Sequence, residues 1–347
     1  MLREKLSRNE FVVTMEVDPP RGADPWPVFT AIHDLAKDLA AVNIADSPTA
    51  KLRMSPIALA HLVQDCLHLE TVFHLTCRDR NMMGLQAELL GAYALGVRNI
   101  LTLTGDSPSL GDHPEATGVF DVDSRGLAKM AANLNHGTDF YGRPLDSATN
   151  FFIGAVANPA MDDVAAEVAK VRAKIESGVN FFQTQPVYSM EQVLRFEAEV
   201  ERQMPGCATP FIYGIMPVKS VKQAGYLNNN VPGVHVPDEM IAVLERDGAE
   251  GGIEYLLQFV QELQHHAAGI HIFPMRDYAL AKRIIEVLSA IPSIPLWMAL
   301  SAAIPAGISV SAMYLYITII LSFIGWTGLA RVVRGKFIAL RKEDFVM

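Results

Sequence analysis

The chain has 347 residues, half of them hydrophobic and 19% charged, with a formal net charge of −9. An acidic balance argues against nucleic acid as a partner, and three widely spaced cysteines with no CxxC or Cys/His pairing argue against both a disulfide framework and a zinc site. The apolar excess sits at the end: residues 287–330 contain no Asp, Glu, Lys or Arg, and the tail after residue 288 has five basic and two acidic residues, which leaves the first 288 near −12.

The opening stretch, MLREKLSRNEFVVTMEV, has a basic start but only a short apolar run that ends at Glu16. It is not expected to act as a secretory signal, so the first domain is expected in a reducing cytoplasm. A first strand is read over 11–17, followed by a helix over 26–39. A strand over 40–45 leads into a helix over 56–67, and a strand over 71–76 into a helix over 84–95. The next strands fall at 99–104 and 151–155. A helix over 162–177, a strand over 180–185 and a helix over 190–202 follow. Strands at 211–216 and 269–273 flank a helix over 253–266, and a last helix ends in LAKRIIEVL.

Eight short β-branched or aromatic runs alternating with helices require crossover connections and therefore a parallel sheet. Eight units in about 285 residues point to an α/β fold of the closed (β/α)8 TIM-barrel type. An open doubly wound sheet is the alternative, although neither GxGxxG after the first strand nor GxxxxGK[ST] is present.

A barrel carries its chemistry at the C-terminal ends of its strands. The polar residues read there are Glu16, Asp46, His74, Thr76, Asp79, Thr104, Asp106, Asn158, Gln183, Gln185 and Arg276. Glu16 follows FVVTM directly and precedes DPP, where Pro19 and Pro20 fix the loop that aims it. Asp106 follows Gly105, which permits close approach of a ligand to the backbone, although a turn-forming or helix-capping aspartate is an equal reading. His74 in VFHLTC also reads as a hydrogen-bonded core histidine. Gln183 and Gln185 are taken to face opposite sides of their strand, so that one reaches the mouth, and Gln185 is chosen.

Seven segments, MEVDPPRG, HLTCRDRN, GVRNILTLTGDSP, FIGAVANP, GVNFFQTQPVYS, YGIMPVKSVKQ and GIHIFPM, resemble the methylenetetrahydrofolate reductase family in order and separation over about residues 1–285. The resemblance implies a barrel that binds a flavin, usually FAD with FMN as the variant. NADH or NADPH, or an electron-donor protein, would reduce it, and 5,10-methylenetetrahydrofolate would be converted to 5-methyltetrahydrofolate. It implies that Glu16 is the acid that protonates folate N10, and that Asp106 lies near both flavin and pterin. Gln185 would contact folate and nicotinamide in turn. His74 and Lys174 would contact the flavin, the lysine near its phosphates. Thr104, Gly105 and Asn158 complete the expected cofactor site, no metal is expected, and a homo-oligomer is one expected form. Thr104 is a departure, since many relatives carry arginine there.

The tail reads differently. Residues 309–329 could cross a bilayer at about 1.5 Å per residue, with Trp326 and then Arg331, Arg334 and Lys336 as an interfacial belt and cytoplasmic flank. The segments IPSIPLWMAL and ITIILSFIGWTGLARVVRGKF resemble an inner-membrane permease subunit of dipeptide or oligopeptide ABC transporters. The expected organisation is a flavin-binding barrel over 1–288 and a hydrophobic, membrane-inserting, permease-like helical segment over 289–347 with one or two spans. A chimeric join would lie within 283–288. The alternative function is a membrane-transport fragment fused to an incidental barrel.

Overall fold

The structure is a computed structural model that describes residues 1–231 and 233–289. The expectations for the tail, its membrane helices, its permease character and any membrane contact, lie outside those residues. Among the described residues no helix is long and apolar enough to cross a membrane.

A short helix, α1 (Leu2–Ser7), precedes β1 (Val12–Val17), α2 (Trp26–Ile32), β2 (Ala41–Ile44), α3 (Pro56–Leu67) and β3 (Thr71–Thr76). Then come α4 (Met82–Ala94), β4 (Asn99–Leu103), α5 (Ser124–Asn135), β5 (Phe152–Ala157), α6 (Val164–Glu176) and β6 (Phe181–Pro186). The described part closes with α7 (Met190–Gln203), β7 (Phe211–Ile215), α8 (Val221–Asn230), α9 (Asp238–Leu263), β8 (Gly269–Ile272) and α10 (Tyr278–Ser289). The eight strands pair in chain order into a closed parallel barrel, sealed where Val12 to Met15 of β1 run beside Gly269 to Ile272 of β8. The open-sheet alternative is thereby excluded.

Helix starts follow local chemistry. Asn81, Asp123, Asp163, Ser189 and Ser220 each accept a hydrogen bond from the backbone N–H three residues on, satisfying donors that the helix itself leaves free. Helices α5 and α8 were not read from sequence, α2 is shorter than expected, and α9 begins well before residue 253. In α9 Gly248, at φ 66, interrupts a helix that would otherwise run unbroken.

The barrel interior is layered because alternate side chains on each strand point inward. The lowest layer is apolar: Val12, Val72, Leu101, Phe152, Phe181 and Ile212 pack together, with Leu2 and Leu6 of α1 joining the same cluster. Gly154 leaves room there for the Phe181 ring, which an added Cβ would approach within 2.4 Å. Two residues along each strand the interior turns polar, with Thr14, Asn43, His74, Gln183 and His271 all buried. Two residues further lies the mouth, which Glu16, Thr76, Gln185 and Phe273 line.

Candidate active site

A cavity of about 370 Å³ opens at the C-terminal ends of the strands, its walls including Glu16, His74, Thr104, Gly105, Asp106 and Gln185. A second compartment of about 620 Å³ adjoins it, sharing Glu16, Pro48 and Phe273 and adding Lys51, Arg53 and Arg276.

Glu16, next to last in β1, has its side chain a quarter exposed to this space. Burial, and to a lesser degree the nearby Asp18 charge, push its pKa up to about 7. Its Oε2 lies 4.0 Å from His271 Nε2, and it accepts no hydrogen bond from the described residues. Burial drives His74 and His271 down to about 3, so both rings are neutral at physiological pH; His74 adds to the effect on His271. A carboxyl that retains its proton near neutrality, beside neutral imidazoles, is equipped for general-acid chemistry.

The opposite wall is built by the turn after β4. Asp106 Oδ2 accepts from the Thr49 backbone N–H at 3.1 Å, and Thr104 Oγ1 accepts from the Ser124 N–H at 3.1 Å at the start of α5. Between them Gly105 holds φ 91, a conformation that penalises any side chain, and an added Cβ would stand 2.9 Å from Thr76 Cβ. Gly105→Ala is therefore expected to destabilise the protein by about 1–3 kcal/mol, measured by denaturant titration, with loosening of the Asp106 loop.

Behind that turn Asp46 accepts from the Thr76 N–H and Oγ1–H, both at 2.9 Å, and from Arg80 at 3.0 Å. Arg78, almost fully buried, is held by Asp79 and donates to the Ser47 carbonyl.

Gln183 and Gln185 both line the cavity. The expectation that they face opposite sides is corrected, because residues two apart on a strand share a face. Gln185 stands at the rim, whereas Gln183 is buried one layer down and bonded to Asn43 and Thr14. Asn158 and Lys174 are not among the residues lining either compartment. Lys174 reaches from α6 to donate to the Val156 carbonyl at 2.6 Å, and burial lowers its pKa. Asn158 donates its backbone N–H to Glu167, while its Oδ1 is buried without a partner among the described residues.

His271, Asn43 and Thr14 had no place among the sequence candidates for site residues. A histidine breaking the apolar run GIHIF was the available signal. It meets Thr14 and Glu16 only because β8 pairs with β1, which pattern alone does not register.

The residues present fit a flavin. The mouth offers two joined compartments, polar groups on several strand ends and, at Gly105, a backbone position in the cavity wall that carries no side chain. For a metal there is no such fit, since no cluster of three or more His, Cys, Asp or Glu able to hold one occurs among the described residues, and Cys66, Cys77 and Cys207 are free.

Among curated proteins, methylenetetrahydrofolate reductase 1 of Schizosaccharomyces pombe is 25% identical over 243 residues, covering 66% of this chain and 37% of that protein. The probable methylenetetrahydrofolate reductase (NADPH) of Caenorhabditis elegans is 24% identical over 311 residues, covering 83% of this chain and 44% of that protein. The 5,10-methylenetetrahydrofolate reductase of Salmonella typhimurium is 24% identical over 237 residues, covering 67% of this chain and 73% of that one. The chain thus spans less than half the length of the two eukaryotic relatives. Among solved structures, a Clostridium thermocellum protein described as binding two copies of 5-methyl-5,6,7,8-tetrahydrofolic acid shares the fold. Its TM-score is 0.57 at 14% identity, over 83% of this chain and 100% of that one. The family model described as methylenetetrahydrofolate reductase matches residues 1–289, so the chain belongs to the methylenetetrahydrofolate reductase family.

Proposed function

We propose that the chain reduces 5,10-methylenetetrahydrofolate to 5-methyltetrahydrofolate with a bound flavin, FAD or FMN, that is reduced in turn by NADH, NADPH or an electron-donor protein. The observation that carries this reading is Glu16: a carboxyl held protonated near neutral pH at the mouth of a barrel whose family performs this reaction.

The flavin would supply a hydride to the one-carbon unit. The chain's own part begins with a proton. Glu16 gives its proton to folate N10 as the N10–CH2 bond breaks, which opens the five-membered ring to an electrophilic iminium at N5; the hydride then completes the methyl group. Glu16 is left as a carboxylate and must regain a proton before the next turnover. Asp106 and Gln185 would orient the pterin from the opposite wall. His74, Thr104, Gly105 and Asp106 would hold the flavin, with Asn158 and Lys174 at its periphery. The apolar faces of Phe273 and Leu103, both lining the cavity, keep bulk water from the acid.

The test is spectroscopic. Purified full-length protein, reconstituted with FAD, is expected to show flavin absorption between about 350 and 500 nm and to bleach with methyltetrahydrofolate under anaerobic conditions, the reverse of the folate half-reaction. A protein that takes up neither FAD nor FMN overturns the proposal.

A further inference from the structure

Below the mouth, a hydrogen-bonded chain crosses the barrel from β3 to β8, and its proton order can be counted. The Asn43 Nδ2 group has two hydrogens, given to Gln183 Oε1 at 2.6 Å and to His74 Nε2 at 3.0 Å. The Gln183 Nε2 group, which can only donate, lies 3.1 Å from Asn43 Oδ1, 3.2 Å from Thr14 Oγ1 and 3.4 Å from His271 Nδ1. The Thr14 hydroxyl makes its shortest contact with His271 Nδ1, at 2.9 Å against 3.4 Å to the Ile270 carbonyl, so that Nδ1 faces two groups able to donate, Thr14 Oγ1–H and Gln183 Nε2–H. With Nδ1 accepting, a neutral His271 must carry its hydrogen on Nε2, the nitrogen that faces Glu16 at 4.0 Å. Phe273 packs edge-on against the same ring at 4.7 Å between centroids.

We propose that His271 is a positioning residue for Glu16: the buried chain His74–Asn43–Gln183–Thr14 fixes its ring and tautomer so that Nε2–H meets the Glu16 carboxylate as that residue gives up its proton. This rests on the reading of Glu16 as the acid. The 4.0 Å separation is about 1 Å beyond a hydrogen bond, and Glu16, with no other partner among the described residues and a quarter of its side chain open to the cavity, is free to close it. The protonated acid gains little from an N–H donor, whereas the carboxylate gains a charge-assisted bond, so the interaction grows as the proton leaves. His271 itself neither gains nor loses a proton.

Other charged and titratable groups face Glu16 as well. Asp18 lies just beyond β1, and His74, Asp46, Arg78 and Asp106 share the inner compartment. Lys51, Arg53 and Arg276 share the outer one. None of these residues is itself replaced by a substitution at His271, and the comparison of His271→Asn with His271→Gln, which differ in whether an N–H reaches Glu16, separates the contact from changes in their field.

The experiment uses full-length protein labelled with 13C at glutamate side-chain carboxyls and 15N at histidine rings, without added flavin. Glu16 is assigned by Glu16→Gln and titrated directly. His271→Asn, whose amide reaches Thr14 but not Glu16, is expected to raise the Glu16 midpoint by about one pH unit. His271→Gln, which extends an N–H toward Glu16, should bring the midpoint back toward the wild-type value. The wild-type ring should show a protonated Nε2 and a bare Nδ1 in its 15N shifts. Should His271→Asn fail to fold, His271→Phe, which keeps a ring but has no N–H to offer Glu16, should move the midpoint in the same direction. A midpoint that stays or falls, or a ring protonated at Nδ1, overturns the proposal. Full bleaching by methyltetrahydrofolate in Glu16→Gln would instead remove Glu16 as the acid, a separate failure.

Discussion

Glu16→Gln should lower the rate of the folate half-reaction by about 10²- to 10⁴-fold, the range by which a positioned general acid accelerates proton transfer. Reduction of the flavin by nicotinamide needs no proton on folate N10, so that half-reaction should proceed at close to the wild-type rate. Stopped-flow measurement of the two half-reactions separates them, and an equal loss in both would point to a damaged cavity instead of a missing acid. The same substitution should stabilise the fold at alkaline pH. The sign follows from the pKa of Glu16, raised from 4.5 to about 7 on folding. The stability associated with its protonated form is fully present below 4.5 and is lost as pH rises through 7. A shift of that size corresponds to about 3 kcal/mol, reduced to about 2 kcal/mol because a quarter of the side chain is open to water. A neutral amide does not ionise, so denaturant titrations at pH 4.5 and pH 8 should show the variant gaining on wild type as pH rises.

How much of this site could be read in the sequence depended on the kind of contact involved. The eight strands were legible because each is a short apolar run interrupted at its C-terminal end, and Glu16, Asp106 and Gln185 were legible because a barrel brings those ends together. Lys174 was placed near the cofactor by resemblance alone; it lies on α6 and its ammonium donates to the Val156 carbonyl of β5, a contact that no strand pattern registers. The polar layer beneath the mouth was harder to see. Thr14 and His271 are 257 residues apart, and they meet only because β8 closes the barrel on β1. Asn43 and Gln183 are 140 apart and meet across the interior, although their strands do not pair. Strand periodicity shows which residues point inward, but strand stagger decides which of them lie at the same height. Helices α5 and α8 were missed for different reasons. In α5 the apolar repeat of Leu127, Ala128, Met130, Ala131 and Leu134 was present but overlooked in the long stretch between β4 and β5, whereas α8 buries only Ala224 and Leu227 and offers little beyond its Ser220 cap.

Acid should unfold this protein through its two barrel histidines, and their contribution can be separated by subtraction. Both have folded pKa values near 3 against 6.5 for an unperturbed ring, chiefly because burial disfavours the imidazolium. The unfolded chain therefore binds two more protons than the folded one once pH drops below about 6.5. Stability from this pair is fully present above 6.5 and is lost progressively down to pH 3. Each histidine contributes a slope of about 1.4 kcal/mol per pH unit in that window. Glu16 opposes them between pH 7 and 4.5, because there the folded state holds the extra proton. The summed contribution of these three groups is largest near pH 6.5 and falls more steeply below 4.5, where the opposing carboxyl has dropped out. In His271→Asn one of the two histidine slopes disappears. Whatever that substitution costs at pH 7, its stability deficit relative to wild type should shrink by on the order of 3 kcal/mol between pH 6.5 and pH 4, as measured by urea titration across that range. Carboxylates other than Glu16 are common to both proteins and cancel in the difference, and Glu16, with a folded pKa of about 7 that the substitution raises, holds its proton in both folded states over most of that range. A deficit that stays constant with pH would mean that His271 is not held neutral in the folded state, and the proton order of the barrel interior would have to be redrawn.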